Sequence, residues 1–515
     1  MLKSTLAKGV AVIIVLEFTT GDNVASSGPS VFTLHASLST YTWNVKLLIH
    51  FYIIQSMIPE RMFVDRINEL QNLEDLSNEN RAQLILIYGR RRIGKTTLLY
   101  EFLKNKDNAL FFMADASENI LDTFSDIASE KFNNVRFQNW DNFFDFLYSK
   151  SKENRFIVVI DEFQYLTAVL KSWPTILQRH WEKLKTTKIF LVLSGSLVSS
   201  IYRIAMGYGS ALYGRKTGEM NIKPLNFIDT GSFFNTDINN LVKIYMILGG
   251  VPRYLEEFDS GNIYNNIIKK ILNKNSFLYN EPLNLLHEEF KDLTSYFAVL
   301  DTIGSGATTF NEISVKSRIA QNKLSKVLDV LIRAELIARE ESIIKSNVRN
   351  IHSYYIKDNL FNFWFKFVYP FRSLLEMNNE EVVISKIKSE INTLFGHRFE
   401  FIARDLLLHN QDKLPFAISY IGRSWGKLKN KVGNNSNYEF DVVIQDAKKY
   451  YTGIFEVKYK KLSYGDAYKI IKNMQEIYNN ISVNSHPVFG IIAKNVENKE
   501  LLRQNGYYVF DLDDL

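Results

Sequence analysis

The chain contains no cysteine. Disulfides, thiolate metal sites and cysteine nucleophiles are therefore excluded, and the absence fits a cytoplasmic location without requiring one. A charge excess is also missing. Lysine and arginine number 62 against 56 acidic residues, a net charge of +6. So mild a balance does not by itself identify a nucleic-acid binder; a local basic face would be needed. Long apolar runs are missing as well. GVAVIIVLEF, from Gly9 to Phe18, follows Lys3 and Lys8 in the manner of a signal-peptide core, but Glu17 interrupts it and no convincing small-residue cleavage site follows. LLIHFYIIQSMI, from Leu47 to Ile58, is too short to span a bilayer. No stable membrane insertion is expected.

What is present describes a globular protein. Hydrophobic residues make up 46% of the chain and charged residues 23%. At 515 residues it is too long for one ordinary core, and three or four domains are expected. Residues 1–56 differ from the rest and are expected to be an extension poorly integrated with the fold, with Met57 or Met62 as the true start. A peripheral membrane anchor is the alternative.

The remainder is organised around LILIYGRRRIGKTTLLYEFL, residues 84–103. An apolar, β-favouring run leads into a glycine-bounded loop and then into a helical pattern of Leu98, Leu99, Phe102 and Leu103. Gly89-Arg90-Arg91-Arg92-Ile93-Gly94-Lys95-Thr96 is a GxxxxGK[ST] phosphate loop in the strand–loop–helix setting it requires, with Thr97 following. The glycines let successive N–H groups turn inward on phosphate oxygens. The helix N-terminus adds unpaired donors and a favourable dipole. Lys95 can reach the β- and γ-phosphates, and the Thr96 hydroxyl can ligate Mg²⁺. The three arginines are ambiguous: they either touch phosphate or a partner, or are solvated charge.

RFIVVIDEFQYL, residues 155–166, reads as a strand buried on both faces, ending in Asp161-Glu162. Beside a phosphate loop, Asp161 would hold Mg²⁺ directly or through water, and Glu162 would polarise the attacking water. KIFLVLSGSLVSSI, residues 188–201, is another buried strand; Ser194 at its end either senses the γ-phosphate or simply closes a turn. Arg215 either stabilises transition-state charge, in cis or from a neighbouring subunit of a homo-oligomer, or makes a surface ion pair. LGGVPRYLEEF, residues 248–258, marks the boundary between the sheet domain and a helical lid.

Taken in order, FVDR…EL, GRRRIGKTTL, VVIDEFQYL, LSGS, YGRKT…I.PL and GGVPRYL resemble the archaeal ATPase family, P-loop NTPases with an additional catalytic glutamate near the AAA+ and STAND groups. The resemblance covers roughly residues 60–380. It implies a five-stranded parallel sheet and ATP as ligand, with Arg66 and the Gly250/Pro252 segment bordering the nucleotide.

Residues 290–357 carry winged-helix grammar. Thr309 and Glu312 form a capping-box pattern, IAQNKLSKVLDVLIRAELI supplies an amphipathic helix, and HSYYIKD alternates as a strand. A DNA reading sets Gln321, Asn322, Lys323 and Lys326 in the major groove; the alternative uses the module for packing or nucleotide sensing. The aromatic stretch Asp358–Phe371 suits a buried helix, and residues 374–392 a connecting helix.

The last domain has its own chemistry. Glu400 lies in a helical pattern, Asp441 on one strand, and Glu456 and Lys458 on the next, where alternation sets them on one face. Two carboxylates can hold a divalent metal, and a lysine can orient or activate water. The set resembles the PD-(D/E)xK nuclease fold, which this ATPase family frequently carries; IGRSW, residues 421–425, sits where members have a similar Arg-Trp element. The alternative is a degenerate domain that binds without cutting. Lys427, Lys429 and Lys431 either meet phosphate or form a solvated loop.

The expected fold class is α/β: a P-loop NTPase parallel sheet (57–225) with a helical lid (226–289), a winged helix (290–357), connecting helices (358–395) and a C-terminal restriction-endonuclease-like α/β domain (396–515). The expected function is ATP binding and hydrolysis acting on DNA. A STAND-like ATP-dependent switch with a non-catalytic C-terminal domain is the alternative.

Overall fold

Strands β1 (Gln83–Tyr88), β2 (Ala109–Met113), β3 (Phe156–Asp161), β4 (Ile189–Gly195) and β5 (Gly218–Asn221) form a parallel sheet in the order β2-β3-β4-β1-β5. The computed structural model describes residues 66–515 except 197–200, 202–203, 206, 208, 291, 345–351, 429–436 and 482. The expectations for residues 1–56 and for Lys429 and Lys431 lie outside the described residues.

Alternation explains why β1 is buried on both faces. Ile85 and Ile87 enter one hydrophobic core, Leu84 and Leu86 the other, because successive side chains of a strand point to opposite sides. Every residue of β3 and β4 is buried, as a sheet covered by helices on both faces demands. Strand β4 lies between the phosphate-loop strand and the Asp161 strand. Tyr88 is level with Gly195, and Ile160 with Leu193. The carboxyl ends of β1, β3 and β4 therefore open on one crevice, where open α/β sheets bind ligands.

The lid segment closes against the sheet through Gly250, whose carbonyl accepts from Leu225 N–H at 2.8 Å. A Cβ on Gly250 would meet Leu225 O at 1.8 Å. Gly250→Ala is expected to cost about 3 kcal/mol through forced backbone displacement; calorimetric unfolding at the wild-type midpoint would refute this account of the lid.

Beyond the lid helix Phe277–Glu289 come helices Thr294–Gly304, Phe310–Ser317 and Gln321–Arg333, then an antiparallel ribbon of β6 (Ile337–Glu340) and β7 (Ser353–Ile356). Thr309 and Glu312 form the capping box read from the sequence. The aromatic helix Asn359–Phe367 is buried, with Trp364 Nε1 donating to Tyr279 O at 2.7 Å.

One difference from the sequence concerns the connecting helices. A single helix of 30 residues, Glu380–His409, crosses the expected boundary at 395/396. Its buried side chains continue from Val383 through Phe395 to Leu407, so no break in packing marks a boundary there. It packs on a second sheet, ordered β12-β11-β10-β9-β8, formed by β8 (Tyr420–Lys427), β9 (Asn437–Gln445), β10 (Tyr451–Leu462), β11 (His486–Val496) and β12 (Tyr508–Phe510). Strands β8–β10 are antiparallel and β10–β12 parallel. One continuous apolar core joins Ile85 of the first sheet to Trp364, Phe399 and Phe455. Among the described residues no helix is long and apolar enough to cross a membrane.

Candidate functional site

The loop after β1 takes a conformation that its glycines permit. Gly89 and Gly94 have φ of 153° and 89°, values that side chains disfavour. Helix Lys95–Leu103 starts at once, aiming its N-terminus into a cleft of about 350 Å³. Arg91, Arg92, Gly94, Lys95, Thr96, Thr97, Glu162 and Pro252 all line that cleft. Of the remaining loop residues, Ile93 is fully buried and Arg90 is 5% exposed, with its side chain turned onto Asp358. Arg253 and Glu256 also line the cleft and were not singled out from the sequence; the adjacent Pro252 was the only signal for them.

Lys95 is folded back on the loop. Its ammonium donates to Gly89 O at 3.0 Å and Arg90 O at 2.9 Å. Burial lowers its pKa, against Glu162 and Asp161, which raise it. The Thr96 hydroxyl donates to Asp161 Oδ2 at 2.6 Å. This hydroxyl–carboxylate pair supplies hard oxygen donors of the kind Mg²⁺ takes beside a nucleotide, so the residues fit that ion. Arg66 donates to Ile93 O at 3.2 Å and Lys223 O at 2.6 Å, tying the loop to the segment after β5.

Glu162 stands at a left-handed φ of 53°, a conformation that costs energy and tends to persist at functional positions. Its Oε2 accepts from the Ser196 hydroxyl at 2.6 Å and also from the Gln164 amide. The sequence reading offered Ser194 as a γ-phosphate sensor or a turn residue; its hydroxyl is buried without a hydrogen-bond partner among the described residues. The serine that meets the Glu162 carboxylate is Ser196, which the sequence reading did not single out. The strand ends at Gly195, and the turn beyond it delivers Ser196. Arg215 stands away from the cleft: its Nε is 3.6 Å from Glu182, and its Nη1 donates to Ala211 O at 3.3 Å.

Two family models match the chain. One, described as "ATPase domain predominantly from Archaea", matches residues 63–258; the other, described as "Archaea bacterial proteins of unknown function", matches residues 364–470. An uncharacterized protein of Methanocaldococcus jannaschii is 33% identical over 464 residues, covering 88% of this chain and 100% of that protein. The chain belongs to the archaeal ATPase family. An uncharacterized ATP-binding protein of the same organism is 60% identical over 45 residues, 9% of this chain and 76% of the relative. Among solved structures, Orc1 of Aeropyrum pernix in complex with DNA aligns with TM-score 0.33 and 12% identity over 62% of this chain and 97% of that one. RuvB T158V of Thermotoga maritima aligns with TM-score 0.30 and 14% identity over 54% and 90%.

In this ATPase the lid helix brings a further carboxylate to the loop. Burial pushes the Glu289 carboxyl up to about 7, although Arg91, Arg90 and Lys95 act to lower it, and Glu288 adds to the rise. A carboxyl raised on folding favours the folded state while protonated. That contribution is complete below the unfolded value and is lost as pH rises through about 7. Glu289→Gln is therefore expected to gain on wild type between pH 5 and pH 8, by on the order of 1–3 kcal/mol. Melting temperatures across that range test it, and parallel curves for the two proteins would count against it.

The second cluster lies on the C-terminal sheet. Lys458 Nζ is 2.6 Å from Glu456 Oε1 and 3.5 Å from Asp441 Oδ2. Asp441 also accepts from Val457 N–H at 2.9 Å. Burial raises the Glu456 carboxyl, and Asp441 raises it further. For Lys458, Glu456 and Asp441 outweigh the burial that would lower it. Glu400, on the long helix, is buried and lies 3.4 Å from Arg423 Nε, and Arg423 also pairs with Glu439. The Arg-Trp segment thus contributes a cation that the sequence reading had not assigned to the site. Among the described residues no three carboxylate or imidazole groups converge as a metal cage; Asp441 and Glu456 supply two.

Proposed function

We propose that the protein hydrolyses ATP in the cleft after β1 and uses that reaction to act on DNA through a winged helix and a metal-dependent nuclease-like site. The observation that carries this reading is the joining, through one continuous apolar core, of the Lys95–Thr96–Asp161–Glu162 cleft to the Asp441–Glu456–Lys458 cluster. Lys95 and the loop N–H groups would hold the phosphates, Glu162 would accept the proton of the attacking water, and Ser196 would hold Glu162 in place. Mg²⁺ held by Thr96 and Asp161 would neutralise phosphate charge. In helix Gln321–Arg333, Gln321, Asn322, Lys323 and Lys326 are exposed, opposite the buried Leu324, Val327, Leu328 and Leu331. An uncovered polar and basic face of this kind suits a recognition helix. At the second cluster, Asp441 and Glu456 would hold a divalent cation, and Lys458 would orient the hydrolytic water.

The test is cleavage of labelled single- and double-stranded DNA in Mg²⁺, with and without ATP, by wild type, Asp441→Asn and Glu456→Ala. Cutting by wild type alone, by at least about a hundredfold over either variant, is the expected result. Equal cutting by Asp441→Asn would remove the site.

A second reading is supported by the contacts of the phosphate loop. Arg90 and Asp358 pair at 2.7 Å although 268 residues separate them, and Asp358 also caps the aromatic helix by accepting from Phe361 N–H at 2.8 Å. Such a link suits a STAND-like switch, in which ATP rearranges the lid and the C-terminal domain only binds. Slow turnover without DNA stimulation, and an oligomeric state that changes with nucleotide, would favour it.

A further inference from the structure

The consecutive arginines of the phosphate loop have three different surroundings. The Arg90 side chain is 6% exposed and its partner Asp358 2%, a closed pair facing the aromatic helix. Arg92 has φ of 69° and pairs with the fully buried Glu281, and its guanidinium lies 4.6 Å from the Phe277 ring centroid. Both are clasps between the loop and the elements packed around it. Arg91 differs. Like Arg92 it lines the cleft with Lys95, Thr96 and Glu162, but its carboxylate partner is solvent-exposed where that of Arg92 is fully buried. One Nη donates to the Tyr165 hydroxyl at 2.6 Å, and the other lies 3.2 Å from Glu288, whose side chain is 38% exposed. Its Nε, like Nε and Nη2 of Arg90, is buried and has no hydrogen-bond partner among the described residues. The Arg91 side chain is 22% exposed, and one end of the guanidinium rests on a solvent-exposed carboxylate, an ion pair of the kind that competes weakly with phosphate.

We propose that Arg91 is a catalytic residue of the ATPase reaction, the cation that binds the γ-phosphoryl oxygens in cis, with Tyr165 and Glu288 aiming it. This rests on the reading of the cleft as an ATP-hydrolysing site. In the step it serves, the bond from water oxygen to Pγ forms as the bond from Pγ to the β,γ-bridging oxygen breaks. The electron pair of the broken bond leaves on the β-phosphate of ADP, and the water proton passes to Glu162 and then to solvent. Arg91 transfers no proton. Its planar fork donates hydrogen bonds to oxygens whose charge is redistributed in the transition state. Arg215, held at Glu182 outside the cleft, does not take this role within the same chain.

The experiment compares steady-state ATP turnover of wild type, Arg91→Ala, Arg91→Lys and Arg215→Ala in the full chain. Alongside it, calorimetry measures binding of Mg·ADP and of Mg·ADP with aluminium fluoride, which imitates the transferring phosphoryl group. Arg91→Ala is expected to lose about a thousandfold in kcat, with KM within a few-fold of wild type. Arg91→Lys stays well below wild type, because a point charge does not reproduce the fork. Arg91→Ala keeps Mg·ADP affinity and loses the added affinity for aluminium fluoride. A merely structural arginine would instead weaken both complexes alike, and that result overturns the proposal. So does a kcat for Arg91→Ala within threefold of an active wild type, or a loss confined to Arg215→Ala. A wild type that binds ATP without turning it over fails the hydrolysis reading itself, and the proposal with it.

Discussion

Lys95→Ala is expected to abolish tight ATP binding, raising Kd by at least about a hundredfold. Each charge-assisted hydrogen bond to a bound anion is worth roughly 1.5–3 kcal/mol, and an ammonium serving two phosphates forfeits at least two of them. The geometry makes the loss specific to the ligand. The ammonium lies at the mouth of the loop and donates to Gly89 O and Arg90 O, so a nucleotide need only draw it away from neutral carbonyls onto charged phosphate oxygens. Isothermal titration with Mg·ATP measures the effect. A Kd within tenfold of wild type would show that the loop N–H groups and helix N-terminus suffice. Because the residue is only 5% exposed, thermal unfolding should accompany the titration. A collapse of stability would mean that the lysine is holding the loop together rather than the ligand.

The second large effect is expected at Glu162. Glu162→Gln keeps the shape and keeps an amide oxygen to accept from Ser196 and Gln164, the two donors that hold the carboxylate. What it removes is the capacity to take a proton. General-base catalysis contributes about 10²–10⁴-fold, so kcat should fall by that order while ATP affinity stays within a few-fold. Unchanged turnover would take Glu162 out of the base role and leave Asp161 and solvent to account for proton removal. Reduced turnover with equally reduced affinity would point to a damaged loop, since Glu162 also occupies a left-handed backbone position.

The two predictions depend on the sequence to different degrees. The lysine was legible because its surroundings are local. Strand, loop and helix follow one another within 20 residues, and each has its own signature: an apolar β-branched run, paired glycines, then leucines at helical spacing. Glu162 was legible for a similar reason, as the first polar pair after a strand of wholly apolar residues. The contact between Ser196 and Glu162 was not. Ser194 and Ser196 are both small hydroxyls near a strand end, and alternation would give them the same face. Which one reaches Glu162 depends on where β4 stops pairing and how the chain turns after Gly195. The sequence analysis sets a boundary at 395/396, whereas helix Glu380–His409 runs on through Gly396; burial against the second sheet sustains it across that weak helix former.

The sequence by itself determined the phosphate loop, the aspartate that ends β3, the adjacent glutamate, the capping box of the helix at Phe310–Ser317 and the carboxylate–lysine alternation of β10. All of these rest on backbone conformation or on periodicities of two and 3.6, which are properties of short segments. Only the tertiary structure decided what the three loop arginines do. Asp358, Glu288 and Glu281 lie far along the chain, and any of dozens of carboxylates would satisfy the same charge. The pairing is selected by packing, in which the aromatic helix Asn359–Phe367 and the lid helix bring those carboxylates beside the loop. Burial then makes unpaired alternatives too costly. The same holds for Arg215, whose charge suits the cleft but whose position on the fold gives it to Glu182.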